Sequence, residues 1–381
     1  MPCHPASIIV NQRLMQPKTK NRISWLVHVL YFSLVFCYLL VCLVPFIDPS
    51  KFWFVAVLGL GFPFLLALVL ISVLIQAIKR SKWIFLSLIA LLISWQQLSV
   101  FFRIRFPTQF TEQKKQTSLR VLSWNVSKWT ESENSMKEKQ GNSYRGLMLD
   151  AIQKENPDVL CLQEFFQCYA PDYFPDNIGP LEKMGYQYHY FSPASKIVND
   201  LFQTGLSVFS KYPILDSAYF KTVEGGHSEG LSYVDIEFQN KTIRIFNTHL
   251  ESIGMNRSDY GEVGKTETAK SILSKIKRSY YFRTQQATQL RQEMNRSPHP
   301  VIFCGDVDDV PNSYVYFKLK GNMQDAFLEK GSGLGRTFQF VSPTLRIDYM
   351  MADDQFKIEQ FSKLSYKYSD HYPQIMDLSL K

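Results

Sequence analysis

Five apolar runs in this 381-residue chain release polar side chains at or just past their C-terminal edges. They are SWNVS with Asn125, CLQE with Glu164, FNTHLES with His249, FCGDVDD with Asp306, Asp308 and Asp309, and YSDH with Asp370 and His371. A sixth run, RIDY, carries Asp348 inside it. A buried strand is a rigid base from which an edge side chain can be aimed into a cleft. Any one of these residues alone reads as a solvated carboxylate or a strand-end histidine. Six converging ends would bring together two imidazoles, several carboxylates and an amide, which is a hydrolytic constellation and not a core.

Aiming six strand ends at one place needs a framework of many short strands. From Leu119 to Lys381 the patterning predicts strands at Arg120–Val126, Val159–Gln163, Leu206–Phe209, Tyr233–Phe238, Thr242–Thr248, Val301–Cys304, Ile347–Met351 and Ile375–Leu380. Each is short, β-branched or aromatic, and bounded by Gly, Pro, Asp or Asn. Helical patterning covers Gly141–Glu155, ending before Asn156-Pro157, and Thr266–Asn295, ending before Pro298. Mixed strand and helix order predicts α/β layers with helices covering the sheet faces. Residues 103–118 are polar and Pro-containing and read as a linker.

Charge is unevenly spread. Residues 1–102 hold eight of the 42 Lys and Arg but only one acidic residue, Asp48, so that segment carries +7 and the rest +1. A basic nucleic-acid-binding protein is not what this describes. With 29 Phe, 20 Tyr and 6 Trp, neither is a disordered chain. The six cysteines show no CxxC or Cys/His spacing for zinc, and read as buried or idle thiols.

The N-terminal third contains three uncharged runs, Ile23–Ile47, Phe52–Ile78 and Trp83–Phe102. At 1.5 Å per residue each is long enough to cross a hydrocarbon layer of about 30 Å. The expectation is a membrane anchor of three helices over residues 1–102. Arg13, Lys18, Lys20 and Arg22 precede the first run, and Lys79, Arg80 and Lys82 follow the second, whereas the first connection has only Lys51. Positive-inside logic then places the N-terminus in the cytoplasm and residues 103–381 on the outer, periplasmic or extracellular, side of the inner or plasma membrane.

In the order SWNVS, LQE, NTHLES, GDVDDVP, RIDY and SDHYP, residues 119–381 resemble the endonuclease/exonuclease/phosphatase superfamily, which includes DNase I-like nucleases, apurinic endonucleases, sphingomyelinases and inositol phosphatases. The resemblance implies a four-layer α/β sandwich: two packed mixed β-sheets flanked by helices, with the site at one end. It implies phosphoester hydrolysis, in which a metal neutralises the phosphate and a water is positioned to attack. Carried onto this chain, Glu164 is the principal ligand of a Mg2+ or Mn2+, a hard cation that prefers oxygen. Asn125 sits beside that metal and the phosphate, and Asp370 supports the metal region. Asp306 orients or deprotonates the attacking water. His371, backed by Asp348, holds a phosphate oxygen or assists the nucleophile. His249 stabilises the pentacoordinate charge and helps the leaving oxygen depart.

One position departs from the family pattern. Where GDxN is common, this chain has Gly305-Asp306-Val307-Asp308. Asp308, in the place of a substrate-holding Asn, lacks the amide donor and repels phosphate unless it is protonated or metal-bound. The alternative reading is therefore a non-enzymatic membrane receptor or scaffold built on the same fold. His189, His227 and His299 belong to no motif and read as structural or exposed; Arg283 and Gln286 read as support for the sheet end. The near-neutral soluble part disfavours nucleic acid as the phosphoester substrate, and a bilayer anchor favours lipid head groups over nucleic acid or inositol phosphate. Nothing in the sequence specifies a protein partner.

Overall fold

The computed structural model describes residues 17–106, 110–131, 143–221, 226–254, 266–340 and 342–381. Cys3, Arg13, the start of the helix expected from Gly141, and the side chains of Lys18, Lys20 and Arg22 lie outside the described residues. The apolar N-terminal runs fold as α1 (Pro17–Val41), α2 (Trp53–Leu60), α3 (Phe62–Ile78), α4 (Ile84–Ile93) and α5 (Trp95–Phe101). The chain divides into two compact units: Met1–Cys42 with Phe62–Ser94, and Leu43–Gly61 with Trp95–Lys381.

In the smaller unit α1, α3 and α4 are joined through hydroxyl groups. Tyr31 Oη lies 2.9 Å from Ser87 Oγ, Tyr38 Oη 2.6 Å from Ser94 Oγ, and Ser72 Oγ 3.1 Å from Ser87 Oγ. One helical segment, Trp25–Phe46, is long and apolar enough to cross a membrane. The second and third runs qualify only if each broken helix pair is taken as one span. The uninterrupted helices expected over 52–78 and 83–102 are thus not formed. Gly61 is a weak helix former, and Pro63 two residues later lacks an N–H. Ser94 turns its hydroxyl back onto Leu91 O at 2.8 Å, a local bond that competes with helix continuation.

The larger unit holds twelve strands among the described residues: β1 (Leu119–Asn125), β2 (Val159–Cys168), β3 (Tyr188–Ile197), β4 (Phe202–Ser210), β5 (Ile214–Phe220), β6 (Gly230–Phe238), β7 (Lys241–His249), β8 (Val301–Asp306), β9 (Gln324–Asp325), β10 (Asp348–Ala352), β11 (Phe356–Lys363) and β12 (Gln374–Leu380). One sheet has the order β11-β12-β1-β2-β4-β3, the other β5-β6-β7-β8-β10-β9. Each is antiparallel except for one parallel pair, β1 with β2 and β7 with β8. A parallel pair needs a crossover. Along the chain, α6 (Arg145–Glu155) lies between β1 and β2, and α8 (Thr266–Arg296) between β7 and β8; α7 (Ile178–Lys183), α9 (Tyr314–Lys320) and α10 (Ala326–Lys330) complete the described helices.

Both faces of the central strands are buried, so they read as near-continuous apolar runs. In β1, Leu119 and Val121 join the core shared by the two sheets, while Leu122 and Trp124 pack outward with Met148 and Ile152 of α6. Ala287, Leu290 and Met294 of α8 pack with the second sheet. The layers are helix, sheet, sheet, helix. β3, β5, β9 and β11, which the patterning does not predict, are all edge strands. Edge strands carry polar residues that dilute the apolar alternation, and β3 also contains Pro193.

The described part of the 103–118 stretch is held against the larger unit. Arg103 exchanges backbone hydrogen bonds with Gly333 at 3.0 and 2.8 Å. Arg120, paired with Asp377 at 2.7 Å inside the fold, also donates to Thr111 O and Glu112 O at 3.1 and 3.0 Å. The linker composition reflects a segment docked through its backbone, not a free tether.

Candidate active site

The two parallel pairs end on the same side, and their C-terminal edges carry the polar residues. β1 ends at Asn125, β7 at His249 and β8 at Asp306. Register places His249 opposite Asp306, and antiparallel β10 starts with Asp348 opposite Asp306. Asp348 therefore opens its strand instead of lying within it. Glu164 sits at an irregularity of the β2–β4 ladder between Leu162 and Phe165, with a left-handed φ of 48°. A bulge of this kind re-aims a side chain that would otherwise alternate with the pleat. Beneath the site a polar bridge joins the sheets: Gln163 Nε2 donates to Asn247 Oδ1 at 2.7 Å, and Asn247 Nδ2 to Leu162 O at 3.0 Å.

Around Asp306 the side chains meet. Asn125 Nδ2 donates to Asp306 Oδ2 at 3.1 Å and to Glu164 Oε1 at 3.3 Å. His371 Nε2 lies 3.5 Å and His249 Nε2 3.8 Å from the same Asp306 oxygen. Each imidazole is held from behind at Nδ1, His371 by Asp348 at 3.0 Å and His249 by Glu229 at 3.2 Å. A carboxylate behind an imidazole fixes its orientation and tautomer. Asp370 accepts from Ser369 Oγ at 3.0 Å on the loop that also carries His371.

The electrostatics follow from burial and crowding. Burial, with the charges of Asp348 and Asp308, pushes the Asp306 carboxyl up to about 8 against the pull of the two histidines. Burial also raises Glu164, which His249 lowers and Asp370 and Glu229 raise further. For His249 burial acts downward, but its contacts with Asp308 and Glu229 and the charge of Asp306 win, and it is raised well above the ordinary value. His371 follows the same pattern, with Asp348 and Asp306 outweighing burial.

Asp308 has a left-handed φ of 55°, a conformation that Asn and Asp tolerate better than most residues. Its Oδ2 is 3.4 Å from His249 Nε2 but makes no hydrogen bond of good geometry. Burial opposes its ionisation, yet His249 and Arg283 hold its carboxyl below the ordinary range. Asp309 takes no place in the constellation; it accepts from Val310 N at 2.9 Å and faces Arg283 at 3.8 Å.

Two contributors had no motif to mark them. Glu229 precedes Gly230, which is paired opposite His249, and its carboxylate also accepts the Glu164 N–H at 2.7 Å. Lys128 lies in a turn where Ser127–Thr130 all have positive φ, and it faces the cleft. His227 lines that cleft too; its backbone N–H donates to Glu251 Oε2 at 2.6 Å. Glu251 is in turn held by Arg283 and Gln286, the helix residues expected to support the sheet end: Arg283 Nη2 donates to Glu251 O at 2.7 Å, and Glu251 N to Gln286 Oε1 at 2.8 Å. His189 stacks on Phe209, and His299 lies 3.7 Å from Asp235, both outside the constellation.

The cleft has a volume of about 900 Å3. Its lining includes the polar side chains of Glu164, Glu229, His249 and Lys128 and the apolar side chains of Phe166, Phe174, Ile197, Val198 and Phe202.

Two mixed sheets with this constellation at one end are the architecture of a known class, and residues 122–371 match the Endonuclease/Exonuclease/phosphatase family. The chain belongs to that family, whose members are hydrolases acting on phosphoesters. Residues 21–101 match a domain of unknown function. A sphingomyelinase of Dictyostelium discoideum is 30% identical over 172 residues, 40% of this chain and 37% of that protein, so the alignment spans little more than a third of the relative's length. Among solved structures, the human Nocturnin catalytic domain with bound sulfate superposes with a TM-score of 0.51 at 19% identity, covering 70% of this chain and 95% of that one. An endonuclease/exonuclease/phosphatase from Beutenbergia cavernae gives 0.50 at 18%, covering 70% and 72%. At these identities the likeness is one of fold.

Proposed function

We propose that the chain is a membrane-anchored, divalent-metal-dependent phosphoester hydrolase. The observation that carries this reading is the placement of Asp306 between two imidazoles, each backed by a carboxylate. Asp306, with a carboxyl near 8, is a base of suitable strength for taking a proton from an attacking water at neutral pH. His371, held at Nδ1 by Asp348, presents Nε2–H to a phosphoryl oxygen. His249, held by Glu229, presents Nε2–H to the leaving oxygen and can deliver the proton that oxygen needs.

Glu164 with Asn125 and Asp370 would hold a Mg2+ or Mn2+. The donors are hard oxygens, and Glu164, raised by burial and by two neighbouring carboxylates, is an anion that a cation would relieve. When bound, the ion supplies charge neutralisation to the phosphate. The Oδ2 of Asp308, 3.4 Å from His249 Nε2, offers a further oxygen, and His249, Asp306 and Asp308 stand close enough to share an ion.

For substrate, the cleft favours a phosphoester carrying an apolar group: phosphate at Lys128 and Glu164, hydrocarbon against Phe166, Phe174 and Phe202. The similarity to a sphingomyelinase leads the same way, toward lipid head-group esters over nucleic acid or inositol phosphates. The anchor reading rests on the three apolar runs and on the cations flanking them, with the N-terminus cytoplasmic and the catalytic unit outside. Its support includes the outward-facing large apolar residues of the smaller unit, such as Leu30, Phe36, Leu68 and Leu74. Purified full chain with Mg2+, assayed on sphingomyelin-like lipids, inositol phosphates and nucleic acids, should turn over the lipids fastest. Cleavage of nucleic acid with no lipid turnover would reject the substrate assignment. Reporter fusions after Lys51, Lys82 and Lys381 should read outside, inside and outside.

A further inference from the structure

Leu43–Gly61 and Trp95–Phe102 lie in the apolar N-terminal third, yet they belong to the same unit as the catalytic sheets. Asn312 Nδ2 donates to Gly59 O at 3.0 Å, and Arg346 Nη2 donates to Val100 O at 2.8 Å. Asn312 follows Asp308 by four residues and Arg346 precedes Asp348 by two. Both elements are thus bonded to segments that lead directly to site carboxylates.

α2 is built inside out for a helix on a water-soluble surface. Its small residues Ala56 and Gly59 are buried, and a Cβ on Gly59 would stand 3.2 Å from Val44 Cγ1. Its large residues face outward, Phe54 at 55% and Leu58 at 43% exposure. A helix on a water-facing surface shows the reverse pattern. Residues 43–61 carry one acidic and one basic side chain, Asp48 and Lys51, so no net charge opposes contact with lipid.

We infer that residues 43–61 form a platform by which the catalytic unit itself lies in the interfacial zone of a lipid bilayer. Outward aromatic and aliphatic side chains on short helices suit the headgroup–acyl boundary, where such faces sit about 5–10 Å deep. The inference rests on the membrane reading of α1 above. The segment able to span, Trp25–Phe46, ends in Leu43–Phe46, which already belong to the catalytic unit, so the bilayer that takes the span also meets the platform. Two consequences follow for the active site. It is held at a fixed height over the bilayer and meets phosphoesters at the membrane surface, and it lies on the same side as the first connection.

The test uses the full chain in phosphatidylcholine nanodiscs, with Cys3→Ser and Cys37→Ser to leave only buried thiols among the described cysteines. Nitroxide labels are placed by Phe54→Cys and Leu58→Cys, and on the proposed span by Leu30→Cys. Collisional accessibility to oxygen and to a water-soluble nickel chelate is read by power saturation. Oxygen-accessible, nickel-shielded labels at 54 and 58 are expected. Nickel-accessible labels there with a shielded label at 30 would overturn the platform and leave the anchor standing. Nickel access at all three positions would overturn both.

Discussion

Asp306 Oδ2 and His371 Nε2 face each other at 3.5 Å, while His249 Nε2 approaches the same oxygen at 3.8 Å. The ends of β7, β8 and β10 and the loop before β12 are spent on surrounding one carboxylate. Removing its charge while keeping its shape should therefore disable the site: Asp306→Asn is expected to lower kcat by at least about 10²-fold, with a much smaller change in KM. His249→Ala should cost a comparable factor. Steady-state kinetics on a soluble aryl phosphodiester separates the two parameters, and full turnover by either variant would remove it from the chemistry.

Glu229 acts through His249 and through the Glu164 N–H. Glu229→Gln should lower kcat by about 10- to 100-fold, the usual cost of losing an outer partner. The carboxylate raises His249, so its loss should also move the alkaline limb of the kcat profile to lower pH. A change in rate without that movement would assign Glu229 a merely structural role.

At Asp308 the backbone conformation suits Asn as well as Asp. Asp308→Asn restores an amide donor and removes a charge that opposes phosphate, so turnover at saturating Mg2+ should be preserved or raised. Because Asp308 also raises His249, the alkaline limb should shift downward here too. A titration of activity against Mg2+ decides the matter: a half-saturating concentration raised by about tenfold or more would make Asp308 a ligand.

The carboxyl of Asp306, near 8 in the fold against an ordinary value of about 3.9, binds a proton in the native state that the unfolded chain releases. Its contribution to stability is present below about pH 4 and is lost as pH rises through about 8. A divalent cation bound at this cluster would replace that proton and relieve the same crowding. The rise in Tm on adding Mg2+ should therefore grow between pH 5.5 and 8.5, and a constant increment would contradict ion binding at this cluster.

Much of the site could be read before the fold because its residues end hydrophobic runs. SWN, NTH and GDVD each close a strand, whereas LQE, expected to end a strand at Gln163, sits at an irregularity inside β2, which runs on to Cys168; β-strand register does the rest. Glu229 was not legible, because its role arises from the pairing of Gly230 with His249 across two antiparallel strands. Lys128 was hidden in a left-handed turn with no periodic signal. Central strands and crossover helices were predictable because both of their faces are buried, whereas edge strands β3, β5, β9 and β11 lacked that signature. In the N-terminal third, hydropathy identifies apolar runs, but it does not distinguish a spanning helix from α2 and α5, whose backbones are bonded to the catalytic unit; Phe54 and Leu58 of α2 point outward, whereas Val100 and Phe101 of α5 are buried.

Metal dependence is the claim on which the mechanism turns, and the initial rate of soluble phosphodiester hydrolysis by the full chain tests it most directly. The chain is stripped with EDTA, assayed, and assayed again after addition of Mg2+, alongside Glu164→Ala. Hydrolysis should be lost on stripping and return with Mg2+, and Glu164→Ala should stay at least about 10²-fold slower at any Mg2+ concentration. A stripped enzyme that keeps its full rate would contradict the account.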